Sequence, residues 1–293
     1  MPRWFFYSLV TMLLWGGWGV VSKPVSTTLS PWQVLCLSTL GFLPVVVVLA
    51  VRESRNLRFE IRNWRRGLAP AFIGGVISSV GNLACYQALS VGGKAAAVIP
   101  LTSLYPLVTI ILARQLLKER LSTVQWGGIV ASLAALCCFI SVDGGSGWLS
   151  PWLAVTLIPI ALWGASDFLQ KLATGHTSSR LVTFVFLLAQ APAALLIPAV
   201  QPFTWSLSGA TWLLVISLGL FYALGNFSLI TAYGVGGRAS VVTPMTSLYS
   251  LVTIPLVVLL FHERISGREG IGILLAILAV LALGRESSAA QKF

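Results

Sequence analysis

The chain has 293 residues, 57% of them apolar and only 9% charged, with a mean hydropathy of +0.89. Soluble domains carry about 25% charged residues, so this chain cannot cover a water-facing surface, and a soluble enzyme or binding domain is excluded. The net charge of +11 and isoelectric point near 10.1 would suit a nucleic-acid partner, but the placement of the charges along the chain argues against one.

Ten apolar stretches of about the length that crosses hydrocarbon follow one another. The first, 4–22, follows Arg3 and contains Trp15-Gly16; it lacks a small-x-small cleavage site and is read as a retained span rather than a signal peptide. Pro24 is expected to end it. The second, 33–51, leads into Arg52, Arg55, Arg58, Arg62, Arg65 and Arg66. The third, 67–90, carries Gly74, Ser78, Asn82 and Tyr86 at intervals of four, which puts them along one side of a helix. Pro100 and Pro106 are expected to interrupt the fourth, 95–116, and the fifth is 124–142. The sixth, 151–171, holds Pro159, taken as a further interruption, then Trp163-Gly164 and Asp167. After 181–200 comes 209–233, with Tyr222 and Asn226; then 239–261, interrupted by Pro244 and Pro255, and finally 268–285. The expected fold is an all-α polytopic membrane protein with short connections.

With both termini cytoplasmic, 15 of the 19 basic residues fall inside, leaving Lys23, Lys94, Arg264 and Arg268 outside. That is the bias of the positive-inside rule. The arginine cluster after the second span then reads as an orientation signal that touches anionic lipid headgroups, with no nucleic-acid partner.

The chain also repeats itself. Asn82, Val91-Gly92-Gly93-Lys94, Pro100, Thr102-Ser103-Leu104-Tyr105 and Glu119-Arg120 recur as Asn226, Val235-Gly236-Gly237-Arg238, Pro244, Thr246-Ser247-Leu248-Tyr249 and Glu263-Arg264, at an offset of 144 (226 − 82). Trp15-Gly16 with Lys23 recurs as Trp163-Gly164 with Lys171 at an offset of 148 (163 − 15). Two copies are therefore expected, 1–146 and 147–293, with five spans each. An odd number inverts the second copy in the membrane, an arrangement typical of transporters whose substrate site lies between the copies.

Candidates for catalysis are few. His176 and His262 are far apart in sequence, and no metal-ligand cluster, nucleophile motif or phosphate-cradling loop is present, so no enzyme activity, metal or cofactor is expected. Cys36, Cys85, Cys137 and Cys138 read as small core residues. Asp167, four residues before Lys171 on one helical face, reads as half of an ion pair at the membrane edge.

Aromatic and small polar residues carry more information. Trp15, Tyr105, Trp163 and Tyr249 fall near mid-span, although Trp and Tyr ordinarily prefer the interfaces. With Ser78, Asn82, Tyr86, Tyr222 and Asn226 they form the expected substrate-binding set, the polar members facing the interior because lipid cannot satisfy them. Pro100, Pro106, Pro244 and Pro255 are expected to let repeat-related helices bend as gates.

Together the ten spans, the Trp-Gly elements followed by Lys23 and Lys171, and the doubled Pro…Glu-Arg…Gly pattern resemble the EamA-type members of the drug/metabolite transporter superfamily. Within it the chain is most similar to bacterial exporters of aromatic amino acids, the YddG type. The resemblance implies a bacterial inner-membrane exporter of amino acids working by alternating access through a central cavity. It also implies a gating or lipid-pairing role for Lys23 and Lys171. The alternative cargo is another metabolite, such as a nucleotide sugar, a drug or a lipid-linked intermediate. The expected partners are a small-molecule substrate and membrane lipid, and the protein is expected to be a monomer or homodimer.

Overall fold

The computed structural model describes residues 2–53, 64–116, 122–138, 150–201 and 204–283. Among these residues there are helices and turns but no strand. The order is α1 (Arg3–Thr28), α2 (Pro31–Ser38), α3 (Leu43–Glu53), α4 (Ala69–Ser90), α5 (Ala95–Thr102), α6 (Pro106–Leu116) and α7 (Thr123–Cys137). There follow α8 (Pro151–Thr174), α9 (Ser179–Leu188), α10 (Ala191–Val200), α11 (Gly209–Gly234), α12 (Ala239–Ser247), α13 (Ser250–Phe261) and α14 (Gly267–Leu283).

Serines start several of these helices by capping the first free backbone N–H groups. Ser30, Ser178 and Ser208 accept from Gln33, Leu181 and Thr211, and Ser122 forms a reciprocal capping box with Gln125. Among the described residues, seven helical runs are long and apolar enough to cross a membrane: Arg3–Thr28, Pro31–Glu53, Trp64–Ser90, Ala95–Leu116, Pro151–Thr174, Gly209–Gly234 and Ala239–Phe261. The other predicted spans, 124–142, 181–200 and 268–285, fall on the shorter helices α7, α9 with α10, and α14, with 139–142 and 284–285 outside the described residues. Outward-facing side chains are largely apolar, with Leu13, Val51, Leu195, Leu213 and Leu259 all more than half exposed, as a lipid-facing surface requires.

The interruptions do not fall where most of the prolines are. Pro24 lies inside α1, which continues to Thr28, and Pro159 lies inside an unbroken α8. Pro100, Pro244 and Pro255 are likewise inside α5, α12 and α13. A proline removes one backbone donor, and close packing by neighbouring helices absorbs that loss. The break in the fourth span comes at Ser103-Leu104-Tyr105, immediately before Pro106 opens α6. A residue preceding proline is pushed away from helical geometry, so this break has a local cause. The ninth span breaks at the matching place, Leu248-Tyr249, although Ser250 stands where the repeat would put Pro106. There Thr246 and Ser247 donate back to the carbonyls of Thr243 and Pro244, as Thr102 and Ser103 do to Ile99, a local pattern that bends helices.

The main helix pairings cross between the copies. α4 of the first lies along α8 of the second, and α11 of the second along α1 of the first. Glycine permits the approach. A Cβ on Gly81 would lie 2.7 Å from Trp163 Nε1, and the repeat-related Gly225 is packed in the same way against the Trp15 indole. Gly16 and Gly164 meet the following broken helices: a Cβ on Gly164 would lie 2.5 Å from the Tyr105 carbonyl, and one on Gly16 would lie 2.6 Å from Val252.

Gly164→Ala should therefore be destabilising. Overpacking against a fixed carbonyl costs about 1–3 kcal/mol, which exceeds the helix-propensity gain of roughly 1 kcal/mol. Gly127→Ala, where an added Cβ meets nothing within 4 Å, should be neutral or stabilising. Apparent melting temperatures in detergent check the pair, with only Gly164→Ala expected to fall.

Candidate functional site

A cavity opens where α1, α4, α8 and α11 meet the breaks of the two interrupted helices. It offers about 400 Å³ of space free of atoms, counting the part open to solvent. Five aromatic rings that line it form a closed circuit of edge contacts. Trp15 lies edge-to-face with Tyr105 (6.3 Å between centroids), Tyr105 with Trp163 (6.4 Å) and Trp163 with Trp18 (5.6 Å). Trp18 then meets Tyr249 (6.5 Å), and Tyr249 returns to Trp15 (6.1 Å). Edge-to-face pairs of this kind contribute about 0.5–1.5 kcal/mol beyond their buried area, so the ring is a stiff wall.

The broken helices hold the tyrosines by crossed hydrogen bonds. The Tyr249 hydroxyl is 3.0 Å from Thr102 Oγ1, and the Tyr105 hydroxyl is 3.3 Å from Thr246 Oγ1. Thr109 donates to the Gly164 carbonyl at 2.9 Å, and its repeat partner Thr253 donates to the Gly16 carbonyl at 3.0 Å. Ser78 and Tyr222, related to each other by the offset of 144 (222 − 78), hydrogen-bond directly at 2.8 Å.

Of the nine predicted binding residues, the structure brings Trp15, Ser78, Asn82, Tyr105, Trp163, Tyr222, Asn226 and Tyr249 to the cavity wall. Tyr86 is not among them. It stands behind Trp18, whose Nε1–H donates to its hydroxyl at 3.4 Å. Asn82 accepts from Trp163 Nε1 at 3.1 Å. The matching pair in the other copy does not form: Asn226 donates to the Tyr222 carbonyl, and Trp15 Nε1 is buried with no hydrogen-bond partner among the described residues.

Trp18 and Asp167 also line the cavity, and neither belongs to the predicted set. Trp18 lies three residues after Trp15 and so shares its helical face, a signal available in the sequence. Asp167 is a correction to the expected edge ion pair with Lys171. Helix α8 runs on to Thr174, which puts Asp167 about two turns from its end and 4% exposed. Its carboxylate accepts from the Tyr233 hydroxyl at 3.3 Å and from Gln170 Nε2 at 3.5 Å. Lys171, one turn further along, donates to the carbonyls of Gly237 (2.7 Å) and Tyr233 (3.4 Å).

The gating candidates surround the cavity without lining it. Lys23 matches Lys171, donating to the Gly93 carbonyl at 3.1 Å, so each lysine fastens its helix to a glycine turn. Gly92 (φ 101°) and Gly236 (φ 98°) make those turns in the left-handed region that favours glycine. Glu263 accepts from the N–H groups of Ala95 and Ala96 at 3.0 and 2.8 Å and pairs with Lys23 at 3.5 Å. It thereby caps α5 from a distant segment. Lys94 pairs with Glu269 at 2.9 Å and donates to the Arg264 carbonyl, so Lys23, Lys94 and Arg264 gather at one end of the molecule. Glu119, the counterpart of Glu263, lies outside the described residues. Cys36 and Cys85 are buried as expected, whereas Cys137 is exposed. Among the described residues no cluster of His, Cys, Asp or Glu could hold a metal ion.

Comparison with known proteins places this architecture. A solved structure titled only as the crystal structure of a protein is similar over 94% of both chains, with a TM-score of 0.66 at 17% identity. That likeness concerns the fold alone. No curated protein matches the sequence. The EamA-like transporter family matches twice, over residues 2–141 and 150–285. With both halves matched, the chain belongs to the EamA-like transporter family and is a multi-pass membrane transporter of small metabolites rather than an enzyme.

Proposed function

We propose that this transporter exports amino acids, chiefly aromatic and other neutral ones, across the bacterial inner membrane by alternating access. The observation that carries this reading is the packed cluster of Trp15, Tyr105, Trp163, Trp18 and Tyr249 lining a cavity shared by both halves of the chain. Flat aromatic faces suit an aromatic side chain. Asn82, Asn226 and Ser78 add polar contacts that fix orientation without binding tightly, which suits abundant cargo.

In this reading the ten predicted spans form two inverted copies, 1–146 and 147–293, with both termini cytoplasmic. Reciprocity supports the inversion. Tyr105 reaches Thr246 while Tyr249 reaches Thr102, and Thr109 reaches Gly164 while Thr253 reaches Gly16. Contacts that read the same from either copy are those a two-fold relation generates. Movement is assigned to the breaks at 103–105 and 248–249, with Pro100, Pro106, Pro244 and Pro255 flanking them and Lys23 and Lys171 anchoring the adjacent turns. A monomer is sufficient for this mechanism, and no cofactor enters it.

Liposomes containing only this protein, preloaded with phenylalanine, should accumulate tracer phenylalanine. Trp163→Ala should lower that counterflow about tenfold, the equivalent of roughly 1.4 kcal/mol of lost contact. Absence of counterflow by correctly folded protein would end the amino acid assignment. Pro100→Ala and Pro244→Ala should slow exchange by more than they weaken phenylalanine binding; unchanged rates in both would remove the hinge role from these prolines.

A further inference from the structure

The two halves of the cavity differ in one chemically important respect. Asp167, Tyr233 and Thr243 form a connected polar chain, with the Tyr233 hydroxyl 3.3 Å from the Asp167 carboxylate and 2.6 Å from Thr243 Oγ1. In the other copy their counterparts are Gly19 (167 − 148), Leu89 (233 − 144) and Ile99 (243 − 144). One copy builds the same helices with no carboxylate at this place, so folding of the repeat does not demand one. A carboxylate inside a membrane bundle is costly and marks a functional role.

We propose that Asp167 recognises the ammonium group of the cargo, so that the cavity selects for molecules carrying a protonated amine. This deepens the transport reading above and rests on it. Asp167 shares the cavity wall with Trp15, Trp18, Tyr105, Trp163 and Tyr249, and a carboxylate set among aromatic faces is the surrounding an organic cation prefers. Tyr233 is a positioning residue: its single hydroxyl proton goes to Asp167 Oδ2, which leaves Thr243 to donate to the phenol oxygen. Lys171 is the basic side chain nearest in sequence, but its ammonium is directed to backbone carbonyls and lies over the Tyr233 ring, 5.8 Å from the centroid. The hydroxyl of that ring, in contrast, faces the carboxylate.

The test compares three probes of similar shape in counterflow: phenylalanine, phenethylamine, which lacks the carboxylate, and 3-phenylpropionate, which lacks the amine. Phenethylamine should compete with tracer phenylalanine about as well as phenylalanine itself, and 3-phenylpropionate at least about tenfold less well. Asp167→Asn should erase that preference, and Tyr233→Phe should weaken it. Equal competition by the two analogues in the wild type would overturn the proposal without need of any variant. So would an unchanged preference in Asp167→Asn protein of wild-type melting temperature. Uptake of labelled phenethylamine but not phenylalanine would end the amino acid reading and leave the ammonium site standing. Uptake of neither would overturn both.

Discussion

A polar group in hydrocarbon has no water to turn to, so every interruption of a membrane helix must be satisfied by the protein itself. This chain interrupts two helices near its centre; tight local turns satisfy the backbone N–H groups at the breaks, and side chains from each copy hold the other in place. The hydroxyls of Tyr105 and Tyr249 cross to Thr246 and Thr102, and Thr109 and Thr253 take the carbonyls of Gly164 and Gly16. Each bond is worth only about 0.6 kcal/mol on average in a membrane protein. Their effect is geometric: the breaks are held open as cavity wall, and neither copy is complete alone.

Close approach between helices follows from the same constraint. With no hydrophobic driving force in lipid, helices associate by packing, and small residues permit the closest contact. Gly81 and Gly225 let the indoles of Trp163 and Trp15 lie flush against α4 and α11. The tryptophans are thereby fixed at the positions from which they meet the tyrosines edge-to-face. Glycine placement and aromatic placement are one device, written once in each copy.

On this near-symmetric scaffold the cavity itself is asymmetric. Trp18 completes the aromatic circuit where the other copy has Ser166, which instead donates to the Gly74 carbonyl between α8 and α4. Asp167 faces the cavity where the other copy has Gly19. Trp163 is tied to Asn82, while Trp15 keeps a donor with no partner among the described residues. Symmetry serves the bundle, whereas the departures from it make the two sides of the cavity chemically different.

The sequence by itself determined the class, the repeat and most of the helix ends, because lipid imposes a length and an apolar composition that can be counted residue by residue. The glycine pairs at 92–93 and 236–237 could be read as turns for the same reason, since their chemistry is local. The mid-span depth of Trp15, Tyr105, Trp163 and Tyr249 could also be counted, and it led to the cavity wall. Tertiary structure alone decided which neighbours of those residues share that wall. Tyr86 lies on the expected face of α4 but stands behind Trp18, because another helix brings a larger ring in front of it. Asp167 and Lys171 share a face of α8, yet the helix continues to Thr174, so one side chain enters the cavity and the other reaches a turn. Spacing along a helix sets direction, but the partner met in that direction depends on where every other helix lies.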